Sequence, residues 1–190
     1  AKFDVRVMAT HGGTISIRAN ELARTLVSGP IGGVVGGKYL GEALGIQNIV
    51  CSDIGGTSFD IALITQGDFT IDTSPDMARL VLSLPLVAMD SVGAGTGSFV
   101  RVDPYTKSIV LGPDSAGYRV GVCYPEGGLD TITVSDCHVV LGLINPDNFL
   151  GGQIKLDRER AYQSVKEQLA DPLGLSVEAA SYGVIELLEA

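Results

Sequence analysis

Apolar and polar positions alternate weakly over Phe3 to Ala9, the two-residue period of a half-buried strand, and Gly12-Gly13 predicts a turn after it. Ser28-Gly29-Pro30 reads as a helix start, a hydroxyl residue ahead of a proline. The run Ile31 to Leu44 that follows carries a small face of Gly32, Gly33, Gly36 and Gly37. Each of these glycines costs a helix roughly 1 kcal/mol against alanine, so something is expected to approach that backbone closely. Gly45 is placed to end the helix. Asn48 to Ser52 is a short apolar strand, Asp53 to Thr57 interrupts it, and Phe59 to Thr65 resumes it. Gln66-Gly67-Asp68 turns the chain into Phe69 to Asp72. The pattern predicts a β-meander with a glycine hairpin at its first corner.

Met77 to Val87 is apolar and reads as either strand or loop. A second glycine cluster, Ser91 to Ser98, precedes the strand Phe99 to Asp103, a turn at Tyr105 to Lys107 and a returning strand Ser108 to Leu111. Gly112 to Gly128 is rich in glycine and proline without a period and reads as an ordered loop. Ser135-Asp136 opens a helical run to Leu143, and Asn145-Pro146 stops it. Between Asp157 and Leu169, the residues Ala161, Val165 and Leu169 fall on one helical face. Ser176 caps a last helix, Val177 to Leu188.

The longest apolar stretch, Leu80 to Met89, is broken by Ser83 and Pro85 and is too short to span a bilayer, so no membrane partner is expected. A chain of 190 residues, 45% apolar and 18% charged, has material for a core and excludes disorder. The net charge of −9 argues against a nucleic-acid backbone or an anionic membrane surface as partner. It leaves room for a phosphate held locally by backbone amides. A mean hydropathy of +0.30 fits surface hidden against other domains or subunits, and equally a compact Ala/Val/Leu core. Three cysteines without a C-x-x-C spacing point to a reducing, cytoplasmic compartment. The chain opens in strand-like sequence without an initiator methionine, which reads as a fragment of a longer polypeptide.

The sharpest chemical feature is Asp53-Ile-Gly-Gly-Thr-Ser-Phe-Asp60. Gly55 and Gly56 let the backbone curl so that successive amides form an anion nest, and the Thr57 and Ser58 hydroxyls donate to phosphate oxygens. Asp53 repels a bare phosphate, and makes sense with Mg2+ and its waters between them. The other reading is a plain tight hairpin whose Asp and Thr satisfy turn amides. Gly93-Ala-Gly-Thr-Gly-Ser98 is not the dinucleotide fingerprint. It suits a loop where a nucleotide or another backbone packs on bare main chain, or a structural crossover. The helix start at Ser28 would hold an anion by its free amides, although close helix-on-sheet packing explains its glycines better. His11 and His138 are the only histidines. Asp136, Cys137 and His138 make a poor metal site because adjacent helical residues point apart. Cys51 and Cys123 read as buried thiols.

Taken in order, Ser28-Gly-Pro-Ile-Gly-Gly-Val-Val-Gly36, Asp53 to Asp60, Ser91-Val-Gly-Ala-Gly-Thr-Gly-Ser98, Gly112-Pro-Asp-Ser-Ala-Gly117 and Phe149-Leu-Gly-Gly152 form a collinear series. The series resembles the hydantoinase A / 5-oxoprolinase / acetone carboxylase β-subunit family, of the actin / Hsp70 / sugar kinase ATPase superfamily. The resemblance implies an α/β, ribonuclease-H-like half-domain with a mixed sheet, a β-hairpin phosphate loop and flanking helices. It implies one domain over residues 1–190, the second half of an actin-like ATPase core. By resemblance, Asp53, Gly55, Gly56, Thr57 and Ser58 match the second phosphate loop, with Asp53 holding Mg2+ through water or positioning the attacking group. Gly93, Gly95, Thr96 and Gly97 match the glycine loop facing ATP. Thr96, where the hydantoinase branch has glycine, and the run Tyr118 to Tyr124 depart from the ring-hydrolysing pattern and are closer to the ketone carboxylase branch. That branch implies ATP-dependent activation of ketone enolate or bicarbonate. Its partners are the remainder of the ATPase subunit and hydantoinase-B-like and small subunits, a further metal (Mn or Zn) being expected only in a partner. An ATP-dependent cyclic amidase and a non-catalytic assembly domain are the alternatives.

Overall fold

The computed structural model describes residues 3–77, 80–81 and 83–189. It divides into two compact units, Ala1–Asp53 with Asp60–Ser91, and Ile54–Phe59 with Val92–Ala190. The result is a mixed α/β chain of short antiparallel pairings and flanking helices.

In the first unit, β1 (Arg6–Met8) pairs with β2 (Thr14–Ser16), Val7 opposite Ile15. The turn between them needs Gly12: its φ is +84°, and an added Cβ would lie 2.8 Å from the Phe69 ring. Helix α1 (Ser28–Leu44) follows and ends at Gly45 in the left-handed region, as its sequence predicts. Then come β3 (Ile49–Ile54), β4 (Phe59–Thr65), β5 (Asp68–Phe69) and β6 (Ile71–Asp72). They are followed by β7 (Asp76–Met77), β8 (Leu80–Val81), β9 (Leu86–Val87) and β10 (Asp90–Val92). The stretch Met77 to Val87 is thus strand in part, while Ala78, Arg79 and Leu82 lie outside the described residues. The main sheet runs β10-β4-β3 with β5 on β4. Ile31 and Val34 of α1 pack on Ala62, Ile64, Leu86 and Val87.

Two expectations are corrected in this unit. Strand β3 continues through Asp53 to Ile54, so the interruption starts later than the polar residue suggests. The tight helix–sheet approach falls at Gly37 and Gly41, not across the four predicted glycines. A Cβ at Gly37 would lie 2.9 Å from Cys51 Sγ, and one at Gly41 2.5 Å from Ile49 Cδ1, both residues of β3. The same atom at Gly29, Gly32, Gly33 or Gly36 meets nothing within 4 Å. Gly33, Gly37 and Gly41 follow one another at one-turn spacing along one side of the helix, whereas Gly32 and Gly36 lie around the helix from it.

In the second unit, β11 (Ser98–Val102) pairs antiparallel with β12 (Ile109–Ser115), Val100 opposite Leu111. Strand β12 reaches Ser115, past the predicted end at Leu111. Helices α2 (Val134–Val140), α3 (Arg158–Val165), α4 (Asp171–Leu173) and α5 (Val177–Glu189) pack on this hairpin, with a π turn over Lys166–Ala170. Ala161, Val165 and Leu169 are fully buried, as their spacing predicts. Asp157 Oδ1 accepts from the Arg160 amide and Ser176 Oγ from the Ala179 amide, capping α3 and α5. The cap of α2 is Thr133, two residues before the predicted start, because its amide donates to the Asp136 carboxylate at 2.7 Å.

All three cysteines are free. Burial, with the Asp136 charge behind it, pushes the Cys137 thiol up to about 12 and Cys123 further. Burial also raises Cys51. Among the described residues, no helix is long and apolar enough to cross a membrane.

Candidate functional site

The chain leaves the first unit after Asp53 and re-enters it at Asp60, so the hairpin tip 54–59 belongs to the second unit. There the Gly55 amide donates to the Ser58 carbonyl at 2.9 Å and closes the turn. The glycine loop lies directly on this tip. The Thr96 amide donates to the Gly55 carbonyl (3.1 Å) and the Gly97 amide to the Gly56 carbonyl (2.9 Å). A third segment completes the stack: the Ala116 amide donates to the Gly97 carbonyl, and Thr57 Oγ1 shares a 2.8 Å hydrogen bond with Ser115 Oγ. From the other side, Ser135 at the start of α2 donates both its amide (2.8 Å) and its hydroxyl (2.9 Å) to the Thr96 carbonyl.

These distances explain the glycines. A Cβ on Gly95 would lie 2.5 Å from the Gly55 carbonyl oxygen and 2.8 Å from the Thr57 nitrogen; one on Gly97 would lie 2.8 Å from the Gly56 carbonyl oxygen. Both glycines are buried. Of the two uses that the sequence leaves open for this loop, backbone packing accounts for Gly95 and Gly97. The amides of Gly95, Thr96 and Gly97 are engaged by Ser98 Oγ and by the two hairpin carbonyls. The loop therefore acts on the hairpin as a brace through Gly95, Thr96 and Gly97. Gly93 is exposed, with open space around it. We expect Gly95→Ala to loosen the brace by about 1–3 kcal/mol, the usual penalty of an added methyl against fixed backbone. Hydrogen exchange of the full-length subunit would show faster exchange over residues 54–58 and 95–98; exchange rates like those of the parent would refute the brace.

In the first unit, Asp53 is exposed near the end of β3 and Asp60 half-buried at the start of β4. Beneath α1 lies a pocket of about 240 Å3 whose lining includes Gly33, Val34, Gly37, Cys51, Asp53 and Asp60. The pocket and the brace residues Ser115 and Gly117 have no counterpart in the sequence-based reading. A signal for the latter existed in the motif Gly112 to Gly117, whose last glycine has φ +57° and lies against Gly56.

Other candidates resolve otherwise. Among the described residues, no group of three or more His, Cys, Asp or Glu side chains is arranged to hold a metal. Asp136 is fully buried and occupied: it accepts from the amides of Val122, Cys123 and Thr133 and from the Thr133 hydroxyl. Burial lowers the pKa of His138. The first turn of α1 follows Val27, which takes a left-handed φ of 49°, and has no side-chain cap.

A braced glycine hairpin following an Asp-bearing strand accords with the sequence match, and the chain belongs to the hydantoinase/oxoprolinase family, whose pattern matches residues 1–190. It is 75% identical over 188 residues to the acetone carboxylase beta subunit of Xanthobacter autotrophicus, covering 99% of this chain and 26% of that protein. It is 39% identical to the acetophenone carboxylase gamma subunit of Aromatoleum aromaticum, covering 90% of this chain and 24% of that subunit. A nucleotide-free structure of acetone carboxylase superposes with a TM-score of 0.95 at 75% identity, over 98% of this chain and 26% of that one. An ATP-dependent caprolactamase from Pseudomonas jessenii superposes at 0.80 and 32% identity, over 98% of this chain and 27% of that one. The chain thus spans about a quarter of the length of these relatives.

Proposed function

We propose that this chain is part of the ATP-binding subunit of an ATP-dependent ketone carboxylase, within the second half of an actin-like ATPase core. The observation that carries the reading is the 75% identity over nearly the whole chain to an acetone carboxylase beta subunit. The residues of the hairpin fit the cofactor that this reading requires. Mg2+ keeps several waters and is usually held by one or two carboxylates together with substrate phosphates, not by an all-protein cage. One exposed carboxylate, Asp53, at a strand end ahead of Gly55-Gly56-Thr57-Ser58 suits that mode.

ATP supplies the phosphoryl group that activates the ketone oxygen or bicarbonate. In this reading Asp53 holds Mg2+ through water, and Gly56 brings main chain close to the phosphates without a side chain in the way. Thr57 and Ser58 would offer hydroxyls to the phosphates. Gly95, Thr96 and Gly97 serve the nucleotide indirectly by fixing the hairpin, and exposed Gly93 is the member of that loop open to direct contact. Such preorganised donors are worth most where water is excluded and charge develops. Carbon–carbon bond formation belongs to the complete assembly, with the remainder of this subunit, a hydantoinase-B-like partner carrying Mn or Zn, and a small subunit, in the cytoplasm.

A second reading, ATP-dependent hydrolysis of a cyclic amide, is favoured by the likeness to caprolactamase at a TM-score of 0.80. ATP turnover by the full-length assembly separates the two. We expect stimulation by acetone or acetophenone, with labelled bicarbonate entering a carboxylic acid. Stimulation by hydantoin or 5-oxoproline without bicarbonate would establish the amidase instead.

A further inference from the structure

Strands that show one face to water alternate apolar and polar residues, whereas strands buried on both faces run apolar throughout. Strands β3 and β4 are largely of the second kind, with the runs Ile49-Val50-Cys51 and Ile61-Ala62-Leu63-Ile64. The structure covers one face of them. On the side of α1, Ala62 is 4% and Ile64 1% exposed, and Ile49 and Cys51 pack on the same cluster. On the opposite side Val50 is 69% and Leu63 58% exposed, and Ile61 is half-buried. Ser52 and Thr65 are the polar residues of that face. The β11–β12 hairpin alternates as a half-solvated pair should: Val100 is buried and its neighbour Arg101 is exposed. A groove of about 460 Å3 adjoins the uncovered face, lined by Ile61, Leu63, Ala88 and Met89, with Asp72 and Asp90 also in its lining.

An apolar face beside an apolar groove marks a contact surface. Three occupants suit it: a second copy of the chain, a separate partner, and another part of the same polypeptide. The chain spans 26% of the acetone carboxylase beta subunit that it matches at 75% identity, and three-quarters of that protein lies outside the match. A segment tethered to the same polypeptide competes for a surface at an effective concentration in the millimolar range, which favours it over a separate molecule.

We propose that the β3–β4 face of Val50, Ile61 and Leu63 is the docking surface for an apolar segment of the same subunit, from outside residues 1–190. Seated there, the segment holds the strands that carry Asp53 and Asp60 between itself and α1. The inference rests on the reading of this chain as part of a longer subunit, and not on the reaction assigned to it. The test uses the complete assembly. Hydroxyl-radical footprinting of the parent, read by mass spectrometry, should oxidise Val50 and Leu63 at least about tenfold more slowly than after unfolding in urea, as for buried Ile64. With benzoylphenylalanine in place of Leu63, illumination should crosslink this position to a peptide outside residues 1–190, in a product with the mass of one subunit. Oxidation of Val50 and Leu63 at rates near those of the unfolded chain would overturn the proposal, and needs no substitution to be read. A crosslinked product with the mass of two subunits would overturn it in favour of a second copy, and one with the mass of this subunit plus another would assign the face to a partner. No ketone-stimulated turnover in the parent would instead remove the carboxylase reading, and the footprint and crosslink would still decide what covers this face.

Discussion

Asp53→Asn in the full-length subunit is expected to reduce ATP turnover by a factor on the order of 10² or more, the usual consequence of removing a group that organises charge at a transferring phosphoryl. The substitution is nearly isosteric, and Asp53 is exposed near the end of β3, so the strand pairing has no reason to change. The effect should fall on kcat and on the Mg2+ dependence, shifting half-activation to higher metal concentration, because an amide is a weaker ligand than a carboxylate. Turnover and Mg2+ dependence like those of the parent would make Asp53 a hairpin residue. That result would favour a non-catalytic assembly role for this part of the chain.

The largest structural effect is expected at Asp136. Its carboxylate is fully buried and accepts from Cys123 N (2.7 Å), Thr133 N (2.7 Å), Val122 N (3.1 Å) and Thr133 Oγ1 (3.0 Å). Asp136→Ala strands three amides away from water, while the Thr133 hydroxyl keeps the Val120 carbonyl as acceptor. At about 1–3 kcal/mol for each buried donor left unpaired, the loss is on the order of 4 kcal/mol or more. Gly121 packs directly on the carboxylate: an added Cβ there would lie 2.5 Å from Asp136 Oδ2. Hydrogen exchange of the full-length subunit should show protection lost over residues 121–137, and Asp136→Asn, which keeps one acceptor, should lose less. Full protection in Asp136→Ala would mean that this carboxylate does not hold the loop. The consequence for function runs through Ser135, the neighbouring residue, which holds the Thr96 carbonyl and with it the glycine loop.

Much of this arrangement was legible in the chain itself. Local signals placed Gly45 at the end of α1, Phe59 to Thr65 as a strand, Ser176 and Asp157 at helix starts, and Ala161, Val165 and Leu169 on a buried face. These depend on neighbours within one or two turns, which sequence spacing reports directly. The order of the glycine motifs likewise led to the family.

What the spacing could not say is which backbone each glycine serves. Gly95 and Gly97 read as a possible nucleotide loop, and the fold spends their amides and their missing side chains on the hairpin 54–58, some forty residues earlier in the chain. Asp136 read as one corner of a poor metal site, and the fold surrounds it with amides from the Val122-Cys123 segment. On α1, four glycines looked alike; only the position of the sheet made Gly37 and Gly41 contacts and left Gly33 lining a pocket. The sequence by itself determined most of the local elements and the family. The tertiary structure alone decided which glycines are braces and which leave space, because close approach is a property of two distant segments meeting, and a one-dimensional pattern records only the residue that permits it.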